Sequence, residues 1–325
     1  MRLVLYGLSA YRYWMRAPDR PPARLVSDRR VLQGAAPTLK SLAYLEATLP
    51  DLAPPFHVCC INNSRRCTED TFAHRTGQPY PDESFLPVAD GLYASSPELT
   101  AAQLSVKCHG PLLAKALCML LGSYVKAPTT RYGMSTRRPL TTRAAMAATF
   151  RAIPRLPGAS EVKSLLPYVA EGLASPAEAD LYLALCLPCR RGGLGLPQAL
   201  ANRRIPLSSA AQRLAGQSFV RADLLWPMAR LVVEYDSDLT HLTSQQHALD
   251  AARRAALEAD GFRVITVTAE HLYGPRGLGA VAELIAKLTG HRLSSGAYHA
   301  RVTDGHPAAL DCLPRGYDLP SSLFS

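Results

Sequence analysis

The sequence predicts an α/β protein with a mixed sheet flanked by helices in its C-terminal part, preceded by an α+β region. Three observations predict it. Between residues 175 and 290 the apolar spacing runs helix, strands, helix, strand, helix, the order of a compact α/β layer. Before about residue 95, Pro18, Pro21, Pro22, Pro50, Pro54, Pro55, Pro79, Pro81 and Pro87 cut the apolar runs into pieces that suit short strands and turns. A chain of 325 residues that is 48% hydrophobic has material for two modest cores. The expected division is 1–170 for the α+β region, 171–291 for the α/β domain and 292–325 for an irregular tail.

In the first region, residues 57–62 and 85–92 are candidate strands. Ser96 or Pro97 can open a helix through Leu104, and residues 112–121 repeat apolar side chains at helical spacing up to Gly122. Residues 126–139, rich in Thr, Arg and Pro, read as a connector. A further helix is expected over 141–153.

The signal sharpens at Ser175-Pro176-Ala177-Glu178. Ser175 can cap free amides, Pro176 suits the first helical position, and Glu178 can reach back to the capping residue, so a helix should run to about Leu187. The glycines at 192, 193 and 195 lack the Gly-Lys-Ser or Gly-Lys-Thr ending of a phosphate-binding loop and are read as a turn into the sheet. Residues 218–226 and 230–236, separated by Pro227, look like an antiparallel hairpin. Residues 245–260, rich in alanine and followed by Gly261, predict a helix. Residues 262–268 (FRVITVT) predict a strand, and 278–288 a last helix ended near Gly290.

The formal charge is +10, and arginine greatly outnumbers lysine among the 36 basic residues. A guanidinium is a rigid multi-donor fork suited to phosphates, so a nucleic-acid partner gains weight. The N-terminal apolar stretch is brief and has no small-residue cleavage region, which argues against a secretory signal. No run reaches the roughly 18 apolar residues of a bilayer span. A soluble, cytoplasmic protein without a membrane partner is therefore expected, its eight cysteines held as thiols.

The candidate chemistry is acidic. Side chains two apart on a strand share a face, so Glu234 and Asp236 are expected side by side. In the preceding strand Val220, Ala222 and Leu224 can pack on one face, while Asp223 shares the other with Leu225. If the two strands pair, Asp223 comes beside Glu234. Carboxylates gathered this way repel one another unless a cation joins them, which is the case for Mg²⁺ or Mn²⁺ on Asp223 and Glu234. His241 lies just past the second strand and is either a proton-transfer or phosphate-contacting group or a plain surface histidine. Asp250, Arg253 and Leu257 share one helical stripe. Asp250 can orient His241 or approach the metal, and Arg253 can neutralise a phosphate. The alternative is a partly buried Asp250–Arg253 salt bridge that is purely architectural. Glu178 can support the metal or serve only as a cap.

These segments together resemble the restriction-endonuclease-like superfamily, often called PD-(D/E)XK. Within it they are most similar to the branch of small domains of unknown function related to very-short-patch repair endonucleases. The matching text is SPAE at 175–178, RADLLWP at 221–227, LVVEYDSDLTH at 231–241, D-x-x-R-x-x-x-L from Asp250 to Leu257, and GFRVITVT at 261–268. The resemblance covers a little over a third of the chain. It implies a restriction-endonuclease-like fold, with Asp223 as the first catalytic aspartate, Glu234 as the second acid and Glu178 on the helix that supplies a supporting acid. Asp236 stands where the E-x-K pattern has its lysine. The resemblance implies that relatives in this branch also depart from that lysine and use a nearby histidine and other groups. GLYASSPELTAAQL at 91–104 resembles the antitoxin-like or uncharacterised region that precedes such domains in bacterial proteins.

Cys186-Leu187-Pro188-Cys189 has the spacing of half a zinc site, and His57, Cys59, Cys60, Cys67 and His74 are conceivable partners, although a second close C-x-x-C is missing. Cys186 also continues the apolar side of a helix, where a thiol acts as a small hydrophobe. The leading expectation is a Mg²⁺- or Mn²⁺-dependent DNA endonuclease or nickase acting on double-stranded DNA in repair or defence. A catalytically inactive DNA-binding regulator and a protein-interaction module are the other classes.

Overall fold

The computed structural model describes residues 2–22, 28–61, 70–76, 79–130, 133–236, 244–274, 277–293, 307–311 and 313–324. The chain divides into two units, Met1–Pro167 with Tyr317–Ser325, and Tyr168–Gly316. No helix among the described residues is long and apolar enough to cross a membrane.

Unit 1 is α+β. Its elements are β1 (Leu3–Leu5), α1 (Gly7–Trp14), α2 (Asp28–Leu32), α3 (Leu39–Thr48), β2 (Phe56–Cys60), β3 (Thr71–Arg75), β4 (Phe85–Ala89), β5 (Leu92–Ser95), α4 (Pro97–Leu104), α5 (Gly110–Leu120), β6 (Tyr124–Lys126), β7 (Met134–Thr136), α6 (Arg143–Ala152) and α7 (Ala159–Leu165). Five strands form a mixed sheet in the order β3-β2-β1-β5-β4. The three apolar residues of β1 form its buried centre. The helices before residue 95 are short, as the prolines require, and α3 is held by a capping box between Thr38 and Ser41. Ser96 caps α4 by accepting the Leu99 N–H at 3.2 Å, and Thr142 caps α6 by accepting the Ala145 N–H at 3.0 Å.

Two expectations need correction here. The single strand over 85–92 is a hairpin: Asp90-Gly91 turns the chain, with Gly91 at φ 71°, a backbone state that glycine adopts freely. The connector over 126–139 contains β7, paired antiparallel with β6, because Met134–Thr136 folds back along Tyr124–Lys126.

Unit 2 comprises α8 (Pro176–Cys186), β8 (Leu200–Pro206), α9 (Ser209–Ala215), β9 (Phe219–Trp226), β10 (Leu231–Asp236), α10 (Ser244–Ala259), β11 (Arg263–Thr268), α11 (Ala269–Tyr273) and α12 (Gly279–Thr289). Its mixed sheet has the order β11-β10-β9-β8. β8, β9 and β10 run antiparallel in succession, and β11 joins β10 in parallel after the α10 crossover. The expected hairpin, α10, β11 and α12 are all present; β8 and α9 were not anticipated.

Ser175 caps α8 by accepting the Glu178 N–H at 3.1 Å. The helix is apolar on all sides, with Leu181, Leu183 and Leu185 fully buried, so it is a central helix rather than a surface one. The glycine-rich loop runs back along its end. Leu194 N–H donates to Ala184 O at 2.8 Å, and a Cβ on Gly193 would stand 2.2 Å from Leu187 O, so only glycine fits there. Val220, Ala222, Leu225 and Val232 pack with Ile205 of β8, Ala211 of α9 and Ala256 and Leu257 of α10 into one core.

The segment after residue 291 is expected to be an irregular tail without a core of its own. Its described part packs into cores that other elements build in each unit. A short helix at Ala308–Asp311 buries Ala309 and Leu310, and Ala309 N–H donates to Gly192 O within unit 2. Within unit 1, Tyr317 O accepts the Tyr11 hydroxyl at 3.2 Å and Ser321 accepts from Arg12 at 2.6 Å. Scattered apolar residues without periodicity are enough for this, because each enters a core that other elements have built.

Candidate functional site

β9 and β10 pair Leu225 with Val232 and Leu224 with Val233. Continuing that register by one residue sets Asp223 across from Glu234. There the ladder gives way to a side chain: Asp223 Oδ2 accepts the Tyr235 N–H at 2.9 Å. The two acids expected to meet therefore do meet, at the end of the hairpin pairing.

Glu178 joins them from α8. It is buried, and its Oε2 accepts the Ala174 N–H at 2.9 Å and the Asn202 side-chain amide at 2.7 Å. The capping expectation shifts by one residue: the carboxylate reaches the amide before Ser175, because its other donor lies on β8. Asn202 was not singled out from the sequence. It sits on β8 between the pairs Ala201–Leu224 and Arg203–Ala222, hence across from Asp223, and holds a left-handed backbone with φ 49°.

The electrostatics follow from this crowding. Burial, with the charge of Glu178 behind it, pushes the Asp223 carboxyl up to about 7, against the Tyr235 amide and the Arg253 charge. Burial also raises Glu234, helped by Asp223 and Asp250 and opposed by Arg253 and Arg254. Burial raises Glu178 despite three hydrogen bonds. Removing a carboxylate from water disfavours its charged form, and a like charge nearby adds to that. Glu234 Oε1 is buried without a hydrogen-bond partner among the described residues. A buried carboxylate oxygen without a donor is costly, which agrees with the raised pKa of Glu234.

Arg253 and Asp250 pair at 3.5 Å, and both residues are half-buried, with side chains 38% and 44% exposed. The partly buried bridge given as the alternative therefore forms, and a pair this accessible to solvent contributes little stability. Arg253 also donates to Arg221 O at 3.5 Å, which keeps it beside the acids. Arg254, missed from the sequence, donates to the Thr266 hydroxyl, and Thr266 pairs with Glu234 in the β10–β11 register. The stripe through Asp250, Arg253 and Leu257 does not include Arg254, because one step along a helix turns the side chain towards β11.

Asp236 is the last residue of β10, paired with Thr268 of β11, and its charge helps raise Tyr235. His241 lies outside the described residues, as does its neighbour Asp238. Asp180, two residues from Glu178, accepts the Tyr273 hydroxyl at 2.8 Å and belongs to a different polar group.

Among the described residues, no three or more His, Cys, Asp or Glu side chains stand close enough to hold a metal ion. The acids are coupled through charge without forming a finished coordination shell. The cysteine expectations fare similarly. Cys186 is buried with its thiol directed to Pro197 O at 3.5 Å, and His57 and His74 bond each other at 2.8 Å. Cys67 and Cys312 lie outside the described residues. Comparison of the chain with protein-family models, curated proteins and solved structures finds no match.

Proposed function

We propose that unit 2 is a Mg²⁺- or Mn²⁺-dependent DNA nuclease domain of restriction-endonuclease-like fold, with Asp223, Glu234 and Glu178 as its acids. The observation that carries this reading is the joint burial of Asp223 and Glu234 at the end of the β9–β10 pairing, with Glu234 Oε1 left without a donor among the described residues. A core of helix, three antiparallel strands, helix and parallel strand supports it.

The residues fit a divalent ion. Asp223 and Glu234 are hard oxygen donors whose burial outweighs the opposing charges of Arg253 and Arg254, and Glu178 lies near enough to act on Asp223. These two acids would hold the ion, with Glu178 behind them. A bound divalent ion supplies a lowered pKa for water and an offset to charge on the phosphate oxygens. The remaining work belongs to the chain. The Tyr235 amide fixes one oxygen of Asp223 and leaves the other to the site. Asn202 and the Ala174 amide fix Glu178. Arg253 presents a positive charge that an incoming phosphate can share.

The test is conversion of supercoiled plasmid with Mg²⁺ or Mn²⁺ by the natural chain and by Glu234→Gln. Changes merely next to metal ligands cost about 10–100-fold, so loss of a ligand should cost about a hundredfold or more. Cleavage unchanged by Glu234→Gln would defeat the proposal. The second reading is a DNA-binding regulator without turnover; Asp236 in place of a lysine and the absence of a three-ligand group among the described residues favour it. Binding without cleavage in the same assay would select it.

A further inference from the structure

We propose that the corner of unit 2 formed by β8, α9 and the start of β9 is the surface that takes the phosphate backbone of a nucleic acid. The choice of polyanion rests on the nuclease reading, but the basic surface does not. From Leu181 to Ala222 the chain carries six arginines and no aspartate or glutamate. The acids stand at its ends, with Glu178 and Asp180 just before it and Asp223 directly after it.

Folding concentrates this asymmetry. β8 is the outermost strand of the sheet and exposes Arg203 and Arg204. Arg221 of β9 is exposed and pairs with Arg204 in the register, and Arg213 is exposed in the last turn of α9. None of these four forms an ion pair among the described residues, whereas Arg20 pairs with Glu98 and Arg253 with Asp250. Arg221 donates to Asn202 O at 3.4 Å, and the Arg204 guanidinium lies 3.7 Å from the Phe219 ring centroid. That stacking orders the guanidinium before any ligand arrives while leaving its donors outward. Asp260 approaches the start of α9, where Ser208 occupies its carboxylate through amide and hydroxyl.

Unneutralised like charges held together cost free energy that an incoming polyanion recovers by releasing its counterions. Charged edge strands also discourage edge-to-edge pairing. That need is met by one or two charges of either sign on β8, and it gives no reason to load α9 and β9 with the same charge. The tract also connects to the acids: Arg253 donates to Arg221 O, and its charge acts on Asp223 and Glu234.

The test is binding of a short fluorescein-labelled duplex to the full chain in EDTA, followed by anisotropy across a salt series. Arg203→Glu with Arg213→Glu should weaken binding about tenfold or more and reduce the log–log salt slope by about 2. Neither side chain makes a hydrogen bond or ion pair among the described residues, so folding is spared. Arg204→Glu with Arg221→Glu should behave alike. The charge-matched control Arg138→Glu with Arg151→Glu, both exposed in unit 1, should stay within about threefold because the proposal assigns the phosphate contacts to unit 2. Unchanged binding by both unit 2 pairs, or equal loss in the control, overturns the proposal. Equal affinity for poly-glutamate overturns it in favour of an acidic protein partner. Because binding is read without metal, a chain that binds through these arginines yet leaves plasmid uncut when Mg²⁺ or Mn²⁺ is supplied defeats the nuclease reading alone.

Discussion

Each unit buries two titratable side chains on neighbouring strands, and the two pairs meet the cost of burial differently. In unit 1, His57 of β2 and His74 of β3 approach through Nδ1 and Nε2 at 2.8 Å. Burial lowers both imidazoles to about 4, and nearby positive charge adds to this. A neutral imidazole is both donor and acceptor, so the pair satisfies itself without any charge. Aromatic rings enclose it: Tyr6 stacks on His74 at 4.2 Å and Phe72 on His57 at 5.0 Å. With the proton on Nδ1, the unpartnered Nε2 of His57 is a bare lone pair, the cheaper group to bury. In unit 2, Asp223 and Glu234 are both acceptors once ionised and have nothing to give each other. Similar burial thus leaves the imidazoles bonded to each other, and the carboxylates with the charges of Arg253 and Arg254 opposing their repulsion.

The largest expected effect breaks or confirms that contrast directly. An ion that binds only the folded state at a hundred times its Kd stabilises by about 2.7 kcal/mol. Mn²⁺ should therefore raise the unfolding free energy of the natural chain by about this much under that condition. Asp223→Asn and Glu234→Gln should each abolish the gain, while His74→Gln should retain it. Denaturant titrations with and without Mn²⁺ measure this. Equal stabilisation of all four chains would mean that the ion binds elsewhere.

A smaller effect concerns the imidazoles. Their folded pKa lies near 4 and the unfolded value near 6.5, so across that window the unfolded chain binds more protons. Stability of unit 1 is then full above pH 6.5 and is lost as pH falls towards 4. Between about pH 7 and pH 5 the loss is on the order of 1–2 kcal/mol per imidazole. His74→Gln keeps a hydrogen-bonding group opposite His57 but does not titrate there, so its acid sensitivity should be roughly halved. An unchanged pH slope in that variant would show that these imidazoles are not the acid-sensitive element.

How much of this was legible depended on the range of each signal. Ser175-Pro176-Ala177-Glu178, the alternation through 218–236, and Gly261 with φ 78° act within a few residues, and they located α8, β9, β10 and the end of α10. β8 escaped because an edge strand buries little: only Asn202 and Ile205 of its seven residues are buried, and the arginines between them erase the alternation. The unit 1 sheet was not legible as a sheet. Its centre is three residues long and pairs with strands more than fifty and more than eighty positions away. The site divided along the same line. Asp223 and Glu234 followed from a hairpin, whereas Asn202 meets Glu178 across 24 positions that no local pattern connects.

Asn202 also gives the smallest test. It is the one residue that both holds Glu178 and faces Asp223 across the strand pair, and its left-handed backbone separates two costs. An L-residue in that conformation pays about 1–2 kcal/mol, least for asparagine, and glycine escapes it while adding about 0.4–1 kcal/mol of unfolded-state entropy. Asn202→Ala should lose both the hydrogen bond and the tolerated backbone, whereas Asn202→Gly loses mainly the bond, worth about 1–3 kcal/mol at a buried carboxylate. The glycine variant should therefore be the more stable by about 0.5–1 kcal/mol. If Glu178 supports the ion, both variants should also bind Mn²⁺ more weakly than the parent by about 10–100-fold. Calorimetric titration with Mn²⁺ separates the outcomes. Destabilisation with unaltered Mn²⁺ affinity would make Asn202 and Glu178 a structural clasp and return the acid site to Asp223 and Glu234 alone.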